Sequence, residues 1–311
     1  MPKFKALYDR VYALFLSPQS RVKSERVILF LAIVSFIVHL LLIYFHHSFG
    51  IFNGSESKLL KNPIAAIYTP FSFILVYEIY LLVYYLPRSI TTYISKQYEI
   101  ITLIIIRRLF KDLANLELSS DWFSIKDDLQ FTYDTITSLL LFFLIYQFTK
   151  NRKKLRPRKT SEALIPAFTI KRFVRVKKGI AILLVPILFV LALSTFLSWF
   201  YQVIQPSATY VSSFKDINNI FFDEFFTILI VVDVLLLLVS FFHTDQFHKV
   251  IRNSGFIIST ILLRLSFSVD GILNNVLIIA AVSYGLIILF IHNSYESWLS
   301  KKEEIREDPA T

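Results

Sequence analysis

Long apolar blocks bounded by charged residues run the length of this chain. A helix needs about 20 predominantly apolar residues to cross a bilayer. Eight blocks have that character, at 27–47, 66–86, 92–110, 130–149, 179–201, 223–242, 251–268 and 273–293. The third and seventh are short and carry charge. If both are re-entrant or interfacial, six spans remain. Ahead of the first block, Lys3 to Phe15 place Phe4, Leu7, Tyr8, Val11 and Phe15 on one helical face, with Lys5 and Arg10 elsewhere. This pattern predicts an amphipathic helix that lies on the membrane surface or packs on the protein's own cytoplasmic face. The basic N-terminus is not followed by a short apolar core and a small-residue cleavage site, so no signal peptide is expected.

Two of the blocks hold an acidic residue near their centre. Glu78 interrupts the apolar run from Phe71 to Tyr85, and Asp233 the run from Phe226 to Ser240. A carboxylate at bilayer depth costs roughly 3 kcal/mol or more, so it needs a partner, a proton or a water-filled cavity. Glu78 aligns with Asp233 at an offset of 155 residues, and Ile100 to Arg107 aligns with Ile257 to Arg264 at an offset of 157. Together they predict an internal repeat. The expected fold is an all-α polytopic membrane protein, with about eight transmembrane helices forming two tandem parallel four-helix repeats. Its parts are an amphipathic N-terminal segment at 1–26, a first repeat at 27–149, a basic linker at 150–178, a second repeat at 179–293 and a charged tail at 294–311.

Composition agrees. Of 311 residues 55% are hydrophobic and 18% charged, against about 25% charged in soluble domains; the mean hydropathy is +0.58. The net charge of +10 follows the blocks. Basic residues gather before residue 27, in the linker and in the tail, whereas the loop from Asp112 to Asp128 is mainly acidic and that from Gln202 to Phe222 holds only Lys215. The positive-inside rule then places both termini in the cytoplasm. Topology accounts for most of this charge. The linker also suits anionic lipid headgroups through Lys153, Lys154, Arg156, Arg158, Lys177 and Lys178, at about 1 kcal/mol each near the surface. It lacks a folded-domain pattern, so no nucleic-acid partner is expected. Rich Ile, Lys and Phe usage with one Met and no Cys suits an AT-rich bacterium, and hence a bacterial inner membrane.

Where antiparallel helices neighbour one another, Glu78 meets Arg107 and Asp233 meets Arg264 at comparable depth. Pairing relieves much of the burial penalty. Such pairs either fix helix register or line an ion or proton path, with Arg108 as a further counter-ion. Asp134, Asn274 and Asn275 lie near one set of helix ends, and Gln147, His292 and Asn293 near the other, where solvation suffices.

From Glu78 through Pro87-Arg88 and Lys96-Gln97-Tyr98 to Glu99, the chain resembles the second and third helices of voltage-sensor domains in the voltage-gated cation channel superfamily. The resemblance implies that Glu78 and Glu99 are countercharges for a mobile arginine helix. The fourth span of each half departs from it: Leu139 to Tyr146 and Val276 to Phe290 carry no arginine. Gating charge makes opening voltage dependent, so steep voltage sensing is not expected, and no Thr-Val-Gly-Tyr-Gly filter is present.

Other chemistry is sparse. His243 and His248 are five apart without a third ligand cluster and His46-His47 ends the first span, so no helical spacing assembles a metal set, and no metal or cofactor is expected. With no Cys there is no thiolate or disulfide. Only 6 glycines occur, without a phosphate loop or a nucleophile elbow, so no enzyme is expected. The function this predicts is conduction of a monovalent cation or proton across a bilayer. The alternatives are a non-catalytic subunit or scaffold, as a homo-oligomer or with a membrane partner, and a lipid-modifying enzyme, for which no catalytic constellation is present.

Overall fold

A computed structural model describes residues 2–49, 66–113, 126–152, 167–204, 214–242, 246–269 and 271–307. These residues are almost entirely helical: α1 (Pro2–Leu16), α2 (Pro18–Phe49), α3 (Tyr68–Tyr85), α4 (Ile90–Leu113), α5 (Lys126–Arg152), α6 (Ala167–Ile204), α7 (Phe214–Phe241), α8 (Phe247–Leu265), a 3-10 turn at Ser266–Ser268, and α9 (Ile272–Glu307). Each apolar block falls on one of the helices α2 to α9. Among the described residues five stretches are long and apolar enough to cross a membrane: Tyr8–Phe45, Asp128–Arg152, Glu224–Phe241, Phe247–Ser268 and Ile272–Lys302, with a shorter apolar helix at Thr69–Tyr85. The seventh block qualifies despite its charges. The third, on α4, does not, because Lys96, Glu99, Arg107 and Arg108 dilute its apolar character. Exposed large apolar side chains such as Phe142, Phe189 and Phe242 give these helices the surface that lipid requires.

Helix boundaries have local causes. Ser17 interrupts the first long helical run: its Oγ accepts the Ser20 amide at 3.1 Å, and Pro18 fits the first position of α2, where no amide donor is needed. Pro87 stops the chain after α3, and Ser89 restarts it by accepting the Thr92 amide at 3.3 Å. Gly271, with φ +72°, supplies the left-handed residue before α9.

Contacts divide the chain into two compact units. Unit 1 comprises Met1–Tyr85, Leu103–Thr135 and Lys178–Phe225; unit 2 comprises Leu86–Thr102, Ile136–Lys177 and Phe226–Thr311. Within unit 1, α2 packs along α3, and Ala32 and Ile33 line one hollow with Pro70 and Ile74. Tyr77 donates to Glu25 Oε2 at 2.9 Å and Arg21 Nη1 to the Tyr85 hydroxyl at 2.9 Å. Helix α1 joins them, since the Tyr80 hydroxyl donates to the Phe15 carbonyl at 2.7 Å and Lys178 Nζ stands 4.5 Å from the centre of the Tyr12 ring. Helix α1 thus packs against the protein's own helices. Of its expected face, Tyr8 and Val11 are half-buried, but Phe15 is exposed and Leu16 is buried instead.

Within unit 2, α8 and α9 approach closely at two glycines. A Cβ on Gly255 would lie 2.8 Å from Ile288 Cγ1, and one on Gly285 only 1.8 Å from the Tyr98 hydroxyl oxygen. The Tyr98 hydroxyl occupies that space and bonds Ser259 Oγ at 2.6 Å. Its ring meets Phe148, which in turn meets Phe256. A chain with few glycines uses two of them where helices touch.

Candidate functional site

In unit 1, Glu78 sits mid-helix on α3 and Arg107 on α4. Arg107 Nη2 is 2.9 Å from Glu78 Oε2, with both side chains almost wholly buried. The two atoms meet as charges, outside hydrogen-bond alignment. The other terminal nitrogen, Nη1, donates to the Phe71 carbonyl at 3.1 Å. One residue on, Arg108 grips Asp134 of α5 with two nitrogens. Its Nε bonds Oδ2, and its Nη2 donates to Oδ1 at 2.7 Å, where Gln130 Nε2 also donates at 2.8 Å. Asp134 was expected to be solvated at a helix end and is instead fully buried. A forked guanidinium and a neighbouring amide satisfy its oxygens, which is what burial of a carboxylate demands.

In unit 2, Asp233 on α7 faces Arg264 on α8, with Nη1 2.8 Å from Oδ2. Here the carboxylate has more company. The Tyr93 hydroxyl donates to Oδ1 at 3.0 Å. Thr260 Oγ1 lies 3.2 Å from Oδ2 and 2.9 Å from the Ile257 carbonyl, so its single proton serves one or the other. Arg264 Nη2 in turn donates to Gln97 Oε1 at 2.9 Å. Both ion pairs that the apolar blocks called for are thus formed, each inside its own unit. Glu99 pairs instead with Lys96, one turn away and partly exposed. Tyr93, Thr260 and Gln97 had no signal in the sequence, since hydroxyls and amides on apolar helices are common and need no partner of opposite charge.

Lys177 corrects another expectation. Taken as a headgroup ligand, it is 1% exposed and donates to the Arg88 carbonyl at 2.9 Å. It precedes the apolar block at 179–201, and burial pushes its ammonium down to about 8, partly offset by the charge of Asp233. With Tyr93, Ser240 and Asn253 it lines a cavity of about 10 Å³. Lys178, the adjacent headgroup candidate, reaches Tyr12 in unit 1. Lys153, Lys154, Arg156 and Arg158 lie outside the described residues, as does His243. Asn274 and Asn275 are buried rather than solvated, and Asn274 Nδ2 donates to the carbonyl of Ser266, the first residue of the 3-10 turn.

A third polar cluster joins α8 to α9. His248 Nε2 is 2.8 Å from Glu296 Oε1, its ring stacks on His292 at 5.5 Å, and Arg252 Nη1 is 3.0 Å from His292 Nε2. The nitrogens and carboxylate of His248, His292 and Glu296 lie within 4.8 Å of one another. Their distance apart in sequence hid them from a search for helical spacing. A metal fits this set poorly. The Arg252 guanidinium can only donate, so His292 Nε2 is the acceptor and Nδ1 carries the proton. Any cation there would also face a fixed positive charge. Within the cluster His248 is bonded to Glu296, whereas the two imidazoles stack face to face.

A scan against protein-family models and searches of curated proteins and of solved structures find no match to this chain.

Proposed function

We propose that the chain is an integral membrane protein that conducts a monovalent cation or a proton, with Glu78 and Asp233 lining the path. Arg107, Arg108 and Arg264 are the counter-ions that set selectivity or gating. One observation carries this reading: two carboxylates centred in apolar helices are each buried against an arginine, at 2.9 Å and 2.8 Å. Charge held inside an apolar span marks an ion or proton site by default. The reading takes the chain as two tandem parallel four-helix repeats, supported by the matched positions of the two pairs in sequence. It places both termini in the cytoplasm of a bacterial cell and the basic linker against anionic headgroups. The resemblance to voltage-sensor helices gives Glu78 and Glu99 the part of countercharges. No catalytic step is assigned.

The full coordination of Asp233 favours a second reading, a non-catalytic membrane subunit whose paired charges fix a partner interface. Flux separates the two. Purified protein in liposomes is assayed for proton and alkali-cation flux beside a Glu78→Gln, Asp233→Asn variant and a charge swap of Glu78 with Arg107. Conduction requires that the neutral variant lose flux and that the swap fold yet conduct abnormally. Normal flux in the folded neutral variant would sink the proposal. Silence of the folded wild type across ions and voltages leaves the subunit reading, which then requires a partner that co-purifies through the linker or tail.

A further inference from the structure

In unit 2 a buried aspartate is bonded by a tyrosine that shares a cavity with a buried lysine. Tyr93 donates its hydroxyl proton to Asp233 Oδ1 at 3.0 Å. The same residue lines the cavity that Lys177 also lines. At about 10 Å³ the cavity is close to the smallest that holds one water. A buried water needs two to four polar partners, and the lining offers the Lys177 ammonium, the Ser240 hydroxyl and the Asn253 amide. An ammonium has three donors. Lys177 gives one to the Arg88 carbonyl, and among the described residues no carboxylate stands within ion-pair distance of it. The lining is otherwise apolar, from Ile90, Leu236, Leu237 and Ile257, and the Phe173 ring stands 5.1 Å from the ammonium, so these few polar groups around a buried cation make a seat for one water at most.

We propose that Lys177, one water in this cavity and Tyr93 form a proton relay that loads and unloads Asp233. The inference rests on the proton form of the function proposed above. In one direction Lys177 Nζ gives a proton to the water, the water passes one to the Tyr93 oxygen, and Tyr93 releases its own hydroxyl proton to Asp233 Oδ1. The products are a neutral amine, an intact water, an intact phenol and a carboxylic acid, with no change in oxidation state. Loading Asp233 removes the charge that holds Arg264 Nη1, while Arg264 Nη2 remains on Gln97. The charged and titratable groups around the relay are Asp233 on α7, Arg264 and Arg252 on α8, and Tyr93 on α4. The relay explains why a lysine next to the basic linker is turned inward rather than left to the lipid surface.

The test uses the full chain in liposomes loaded with a pH-sensitive dye, with potassium flux measured in parallel. The variants are Tyr93→Phe, which keeps the ring and removes the hydroxyl, Lys177→Met, and Lys177→Arg, which keeps a cation that does not release its proton. Each should lower proton flux on the order of a hundredfold, the scale of a positioned proton-transfer group, while potassium flux stays near wild type and the unfolding midpoint of Tyr93→Phe falls by only a few degrees. Wild-type proton flux in folded Tyr93→Phe overturns the relay. So does an equal loss of proton and potassium flux, which would mean a structural role. Proton flux abolished by Asp233→Asn but untouched by Tyr93→Phe removes the relay and keeps the conduction reading. A wild type that passes cations but no protons does the same, and a wild type with no flux removes both.

Discussion

Glu78–Arg107 and Asp233–Arg264 join similar residues in similar surroundings, yet they are built to different standards. Asp233 takes a hydroxyl from Tyr93, lies within reach of Thr260, and faces an arginine that Gln97 holds from behind. Glu78 meets a single nitrogen of Arg107 off the hydrogen-bond axis, as Asp233 meets Arg264 Nη1, but here the other terminal nitrogen of the arginine is spent on the Phe71 carbonyl. Among the described residues no hydroxyl or amide joins Glu78. Desolvation of a buried pair is repaid only where the remaining lone pairs and protons also find partners. The second pair is therefore a fixed network and the first a bare charge contact.

Truncation should show the contrast most strongly. Removing one member of a buried pair strands the other and costs about 3–5 kcal/mol. Asp233→Ala should fall at the top of that range, because it also orphans the Tyr93 hydroxyl. Glu78→Ala should cost less, by about 1 kcal/mol for the hydroxyl bond that it lacks. Unfolding of each variant in mixed micelles measures both. Equal losses would erase the distinction drawn here.

Replacing a whole pair comes next in size. Asp233→Leu with Arg264→Met should recover most of the stability that Asp233→Ala loses, because apolar substitution of a buried pair is often neutral or better. The same exchange at Glu78 and Arg107 should recover at least as much, having fewer hydrogen bonds to forfeit. A double variant no more stable than the singles would mean that Gln97 and Tyr93, left without partners, dominate the cost. Smaller again is Tyr93→Phe, about 1 kcal/mol, with no counterpart in unit 1.

The two pairs were legible in the sequence because a charge within an apolar block demands a partner, and an antiparallel neighbour supplies one at matching depth. Their difference was not. Tyr93, Thr260 and Gln97 are ordinary helical residues, and nothing in periodicity says which of them turns toward a carboxylate. Asp134 was misjudged because counting residues from a helix end gives depth but not packing, and packing is what brings Arg108 to it. The cluster of His248, His292 and Glu296 spans two helices, so no local spacing announces it. Two tandem repeats, inferred from the offsets, remain part of the proposal; the helices themselves follow from the apolar blocks. Lys177 and Lys178 show the limit most clearly. Successive residues of a helix point about 100° apart, so one of two adjacent lysines can be buried in unit 2 while the other reaches Tyr12 in unit 1, and a basic run alone does not say which.

That buried lysine yields the one effect with a defined pH window. Burial lowers the Lys177 value from an ordinary 10.5 to about 8. Below about pH 8 the folded and unfolded chains both carry the ammonium, and the fold bears the full cost of holding it away from water. Between about 8 and 10.5 the folded chain has released this proton while the unfolded chain still binds it. Stability rises with pH wherever the unfolded state binds more protons. Lys177 therefore contributes a gain in stability across that interval and none below it. The other groups that titrate there are common to a Lys177→Met variant, so the difference between the two unfolding-midpoint curves isolates the lysine. The gap should favour Lys177→Met at neutral pH and narrow toward pH 10.5. Parallel curves would show that the ammonium reaches water in the folded protein, and the void beside Tyr93 would then open to solvent rather than hold a single relay water.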